Sequence, residues 1–386
     1  QDICTRAASA LSWAVASRSV ARAMALTQVT PVVPIEAPAA AGEPRSVLDV
    51  SAETRVNLTR PPDRENELIK VAAMHGAPGI LAVMRARKEY GWFVTLCLRA
   101  IEICVSPRQT KTNASIPVLQ ECDPVAFSIQ MLELEMIDEV FQVMSHFQHL
   151  REVQRAGLAI IEVLIMDDPT WRDEVVRKGG VVLLCDIARQ RRDSPNMMCQ
   201  VMICMSYLAA EDYIEVMLCQ HEALDHVAHI LRHHVKNAEL VTRASLALLN
   251  LTVCEPHVEE LYEMDAVLPV LHVLDAHASD VHLVIILCGV LANFSVNDGV
   301  RQQLVKEGAL PRILAAMRVD PGNAVLQVAG LKALVNYSTN AEHYMVMESL
   351  GIPSYVGQVI VDHARDPGVQ KYGNYFLGEH SNCPIL

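Results

Sequence analysis

Aromatic residues make up only 5% of this 386-residue chain, and at a net charge of −13 it has no excess of basic groups. An acidic surface repels phosphate backbones, so no nucleic acid is expected as a ligand. No run of 18 apolar residues is free of charge and proline, so no membrane-spanning helix is expected. The most apolar stretch, 281–296, reads as a core helix. Also missing are a His-Glu-x-x-His pair, a Walker loop, a Rossmann glycine fingerprint and a nucleophile elbow. The one long connection, 106–124, offers no nucleophile beside a base. The chain is therefore not expected to be an enzyme, nor to hold a cofactor or a metal. Eleven cysteines are present, but their odd number and wide scatter argue against a disulfide framework. Cys97, Cys104, Cys204 and Cys288 fall on apolar helical frames, where a thiol packs as a small hydrophobe. A reducing compartment suits them. With no secretory signal visible, the Asn-x-Ser/Thr triplets at Asn57, Asn113, Asn250, Asn293 and Asn336 are not read as glycan acceptors.

What the chain does have is a period. Asn250, Asn293 and Asn336 recur every 43 residues, inside Leu-Leu-Asn-Leu-Thr, Leu-Ala-Asn-Phe-Ser and Leu-Val-Asn-Tyr-Ser. A fixed period of this size marks stacked helical units rather than one compact core. Stepping back by 44 reaches Ser206 and then Glu162, and a further 60 reaches Glu102. On this count the Asn is replaced in the earlier units while the apolar frame around it persists. The longer step implies an insertion, and 106–124 has a loop's Pro, Thr, Asn and Ser.

A second landmark recurs as Gly308-Ala-Leu-Pro and Gly351-Ile-Pro, and more loosely from Asp265 and Gly179. Glycine ends one short helix because it tolerates positive φ, and proline suits the first turn of the next. Each unit then reads as short helix, corner, middle helix, turn, long helix. The long helices from Glu239 and Gln327 resemble the third helix of the armadillo family, Val-Gln-x-x-Ala-x-x-Ala-Leu-x-Asn-Leu-Ser. The resemblance is strongest over 213–342. It implies an all-α fold: a right-handed α-solenoid of about six to seven armadillo-like three-helix repeats over 61–386, with an N-terminal extension over 1–60. A HEAT-like helical array is the structural alternative.

The resemblance also implies a use. Third helices of armadillo proteins line a concave groove, where Asn amides hydrogen-bond the backbone of an extended peptide. By position, the groove residues are Asn250, Asn293 and Asn336, with Leu246 and Lys332 four residues before two of them, and Arg243 on the same face. Importin-alpha proteins carry Trp four residues before each Asn. Leu246, Gly289 and Lys332 stand there instead, which argues against binding of nuclear localisation signals. The other use of these asparagines is to cap or bridge neighbouring repeats. The implied function is a non-enzymatic protein–protein interaction scaffold or a structural subunit of a larger assembly. Its expected partners are proteins, including an extended or basic segment attracted by the acidic charge.

The two ends add further expectations. Residues 3–26 carry three Arg and no acid, the composition of an organelle transit segment, and four prolines in 30–46 make an extended linker. Cys383-Pro-Ile-Leu matches the prenylation pattern, and the alternative function is a membrane-tethered adaptor lipidated at Cys383. The expected location is the cytoplasm, including the cytoskeleton, with the mitochondrion as the alternative. His226, His229 and His233 share one helical face, and Asp225 and Cys219 lie near them in sequence. This is read as a polar face rather than a zinc site. Met197, Met198, Met202 and Met205 are read as mostly core.

Overall fold

The computed structural model describes residues 74–106 and 122–378. The N-terminal extension, most of the inserted loop and Cys383 lie outside the described residues. Those residues form helices and no strands, in two compact units that meet in sequence at Ile187 and Ala188.

In the N-terminal unit, α1 (Gly76–Ala86) and α2 (Gly91–Val105) are the middle and third helices of a repeat. A complete triplet follows: α3 (Pro124–Glu133), α4 (Met136–His146) and α5 (Arg151–Asp167). Next come α6 (Pro169–Arg177) and α7 (Gly180–Gln190), in which the unit boundary falls. The C-terminal unit continues with α8 (Pro195–Leu208). Four triplets follow it. The first is α9 (Asp212–Gln220), α10 (Ala223–His233) and α11 (Ala238–Leu251). The second is α12 (Glu255–Glu263), α13 (Leu268–Ala276) and α14 (Val281–Phe294). The third is α15 (Asp298–Lys306), α16 (Ala309–Val319) and α17 (Ala324–Ser338), and the last is α18 (Ala341–Ser349), α19 (Ile352–Asp362) and α20 (Pro367–Phe376).

The starts of these helices are written locally. Asp123, Asp168, Asn237, Asp280, Asn297, Asn323, Asn340 and Asp366 each accept a backbone N–H of the first turn through a side-chain oxygen. A glutamine in the first turns of some third helices ties them to the middle helix before. Gln154 donates to the carbonyls of Met144 and Phe147, Gln327 to those of Met317 and Asp320, and Gln370 to those of Ile360 and His363. These carbonyls close helix ends that lack intrahelical donors.

The core runs along the third helices. Within each unit they pack on one another: α2 on α5, and α8, α11, α14, α17 and α20 in succession. α14 buries Leu283 to Cys288 and Val290 to Phe294. A helix apolar on nearly every side is one with neighbours on nearly every side. The thiols follow suit. Cys97 on α2 and Cys288 on α14 are fully buried, and burial pushes each pKa up to about 12.

The corner before each middle helix has positive φ throughout: Gly76, Glu135, Gly179, Glu222, Asp265, Gly308 and Gly351. Three of these seven are acids, so a search for glycine alone misses them. A β-carbon in the left-handed region costs about 1–2 kcal/mol. Glu222→Gly removes that strain and gives up only an exposed ion pair with Arg189 at 3.1 Å. It is expected to raise stability by about 1 kcal/mol, read as a higher urea midpoint at unchanged slope; a lower midpoint would contradict this account of the corner.

Candidate functional site

The three asparagines sit at one register, thirteen residues after the N-caps Asn237, Asp280 and Asn323. Each donates its amide to the preceding third helix. Asn250 Nδ2 reaches the Ser206 carbonyl at 2.8 Å. Asn293 Nδ2 reaches the Leu249 carbonyl at 2.9 Å and Thr252 Oγ1 at 3.2 Å. Asn336 Nδ2 reaches the Ala292 carbonyl at 3.1 Å and Ser295 Oγ at 3.0 Å. The amides thus bridge neighbouring repeats, the second of the two uses read from the sequence. Asn250 and Asn293 are 5% and 2% exposed, while Asn336 is half-buried.

The bonding pattern corrects the register of the earlier units. Each amide binds the carbonyl one residue before the previous rung, so the rung on α8 is Tyr207 and not Ser206. The same offset from the N-caps Leu150 and Tyr90 places Val163 and Ile103, not Glu162 and Glu102, at this position. The period is 43 from Tyr207 onward. A polar residue one step away drew the sequence count off by one.

The other groove candidates lie at different depths. Leu246 is 3% exposed and packs in the core. Lys332 is 8% exposed, with its ammonium 5.3 Å from the centre of the Tyr372 ring. Burial, helped by Lys371, holds its pKa below the usual lysine value. Arg243 remains half-exposed near Glu239, with 4.0 Å between their charged groups. A row that the sequence analysis did not single out lies two residues after the N-caps: Asn196, Glu239, His282 and Val325, spaced by 43 and all exposed or half-exposed. The signal was the same period, read at a position without a shared residue type. Met197, Met198, Met202 and Met205 are core, at 2% exposure or less.

The histidines of α10 do not converge. His226 is buried, with no hydrogen-bond partner at either ring nitrogen, whereas the rings of His229 and His233 lie 4.5 Å apart, tilted against one another. Burial holds the His226 pKa below the ordinary imidazole value, opposed by Asp225 and Glu222 and helped by Arg192 and Arg189. The unfolded chain therefore takes up this proton at a higher pH than the native chain. Stability from the neutral ring is complete above about pH 6.5 and is lost as pH falls below it. His226→Leu keeps an apolar body and removes two unmet polar atoms. It is expected to raise the urea midpoint and to flatten its decline between about pH 7 and pH 5. An unchanged slope would show that His226 does not set the acid limb.

Among the described residues, one group has the chemistry of a metal site: Glu215 on α9, with Cys254 and His257 at the start of α12. Glu215 is wholly buried, and its hydrogen bond raises the His257 pKa. Glu215 and His257 lie 42 residues apart, and no local spacing motif links them.

No family model and no curated protein matches this sequence. Solved structures do match. A designed armadillo repeat protein superposes with a TM-score of 0.55 at 18% identity, over 63% of this chain and 98% of its own. Another, solved in complex with the peptide (KR)4, gives 0.52 at 17%, over 64% of this chain and 98% of its own. An engineered protein covers 79% of this chain and 78% of its own, with a TM-score of 0.60 at 13% identity. Triplet order, the third-helix core and these likenesses agree: the chain has an armadillo-like repeat fold.

Proposed function

We propose that this chain is a non-enzymatic scaffold that holds a protein partner, in extended form, against the third-helix face of its C-terminal unit. The observation that supports this reading is the division of roles along those helices. Their C-terminal halves are consumed in joining repeats, while their first turns present Asn196, Glu239, His282 and Val325 in register, with Arg243 beside Glu239. Packed helices stand about 8–10 Å apart, close to the length of three extended residues. One partner segment can therefore meet one row residue about every third position. The row carries an amide, an acid, an imidazole and an aliphatic group, so it suits a specific mixed sequence better than a uniformly charged one. A designed protein of this fold was solved with a basic peptide, and the net charge of −13 adds a general attraction for basic segments here. A place in a larger assembly is the same contact made permanent. The thiol-rich core suits a reducing compartment such as the cytoplasm.

Photo-crosslinking residues placed at Glu239 and at Val325 are expected to capture the same partner in cells that express the chain. A crosslinker at Val361, 68% exposed on the middle helix α19, is expected not to. Capture at Val361 alone, or different proteins at the two row positions, would overturn the reading.

A further inference from the structure

Glu215 is informative because of its register. Positions 172, 215, 258 and 301 recur every 43 residues, each four after the N-cap of a first helix. Two of them are arginines laid against the carbonyl end of the preceding third helix. Arg172 donates to the Ile165 and Met166 carbonyls, both at 2.9 Å, and Arg301 to the Ser295 carbonyl at 2.9 Å. A cation suits that place, because the last carbonyls of a helix carry partial negative charge. A carboxylate does not. Glu215 is oriented toward the following repeat, where its Oε1 accepts the Cys254 backbone N–H at 3.3 Å and lies 3.1 Å from His257 Nδ1. The same ring nitrogen lies 3.0 Å from the Leu251 carbonyl. A wholly buried carboxylate is costly unless a cation meets it, and the cationic partner within reach here is His257.

A Glu215 carboxylate oxygen, the Cys254 sulfur and a His257 ring nitrogen all lie within 4.8 Å of one another. Ligand atoms around a tetrahedral zinc, with bonds of about 2.0–2.3 Å, stand roughly 3.3–3.8 Å apart. The carboxylate–imidazole distance of 3.1 Å is already close to such an edge, and the sulfur lies within 4.8 Å of both ligand atoms. We propose that Glu215, Cys254 and His257 bind one zinc ion that joins α9 to α12, with the fourth position taken by water. Thiolate, imidazole and carboxylate together favour zinc over magnesium or calcium. One thiolate and one carboxylate balance the dication, so the buried group becomes neutral. Binding transfers the Cys254 thiol proton to solvent, and the proton on His257 Nδ1 leaves as well, to Nε2 from a neutral ring or to solvent from a charged one. The sequence expectation of no metal was formed from spacing along single helices, whereas these ligands come from two. The scaffold reading stands or falls independently of this site.

The test uses the full chain, stripped with a chelator and titrated with Co²⁺ as a spectroscopic probe. One equivalent is expected to bind with a thiolate-to-cobalt charge-transfer band that Zn²⁺ abolishes. Cys254→Ser is expected to remove the band, and His257→Gln to weaken Zn²⁺ binding by more than the about 10–100-fold that loss of an outer-shell partner costs. Cys199→Ser, which alters a thiol on α8, is expected to leave both unchanged. No band in the unaltered chain, or a band that survives Cys254→Ser, overturns the proposal. The first of these outcomes needs no variant to fold.

Discussion

Asn293→Asp is expected to destabilise the C-terminal unit by about 3–5 kcal/mol at neutral pH, although it exchanges one NH₂ for one oxygen. The amide it replaces is 2% exposed and donates to the Leu249 carbonyl and to Thr252 Oγ1. A carboxylate there faces a carbonyl oxygen with nothing to donate and no cation beside it in the hydrogen-bond pattern. The introduced acid escapes by staying protonated, which raises its folded-state pKa above the unfolded value near 3.9. Native chains then bind more protons than unfolded ones above that value, so stability falls as pH rises and the loss shrinks toward about pH 4. Urea unfolding at pH 7 and pH 5 checks both parts. Asn336→Asp supplies an internal comparison. Asn336 is half-buried, so water can solvate its charge and the expected loss is smaller. Equal losses at the two positions would contradict the burial argument.

Phe294→Ala, one residue further on, is expected to cost about 3–5 kcal/mol with no pH dependence. Phe294 is fully buried at the end of α14, a helix packed on α11 and α17. Truncation removes most of a large apolar contact and leaves a cavity that packed helices close only in part. Stacked repeats unfold by neighbourhood, since each touches chiefly the next. The loss is therefore expected to appear as an earlier transition of the C-terminal unit, with hydrogen exchange rising first in α11, α14 and α17. Uniform loss of protection across both units would mean that the chain unfolds as one body.

Much of this architecture was legible in the sequence, for a physical reason. Asn250, Asn293 and Asn336 do the same task, so they are the same residue at the same interval. Gly308 and Gly351 mark corners for the same reason. Legibility ended where one task is done by different residues. Glu222 and Asp265 take the conformation that glycine takes elsewhere, and Tyr207 holds the rung that a count by polarity gave to Ser206. The Glu215 cluster was hidden because its members are neighbours only after two repeats stack. The row from Asn196 to Val325 was hidden because its four positions share an interval but no residue type. Helical spacing gave Arg243, Lys332 and Leu246 a shared face as an expectation, but not their depth: Leu246 and Lys332 are shielded by packing, and Arg243 stays partly exposed.

The thiols at the centre of the third-helix stack carry a practical consequence. Alkylating reagents attack thiolate, and Cys97 and Cys288 are both fully buried and held at a pKa near 12. At neutral pH neither is modified until its surroundings open. Cys97 belongs to the N-terminal unit and Cys288 to the C-terminal one. Pulse labelling followed by peptide mass mapping would make each a clock for its own half of the chain, timing breathing events without any introduced dye.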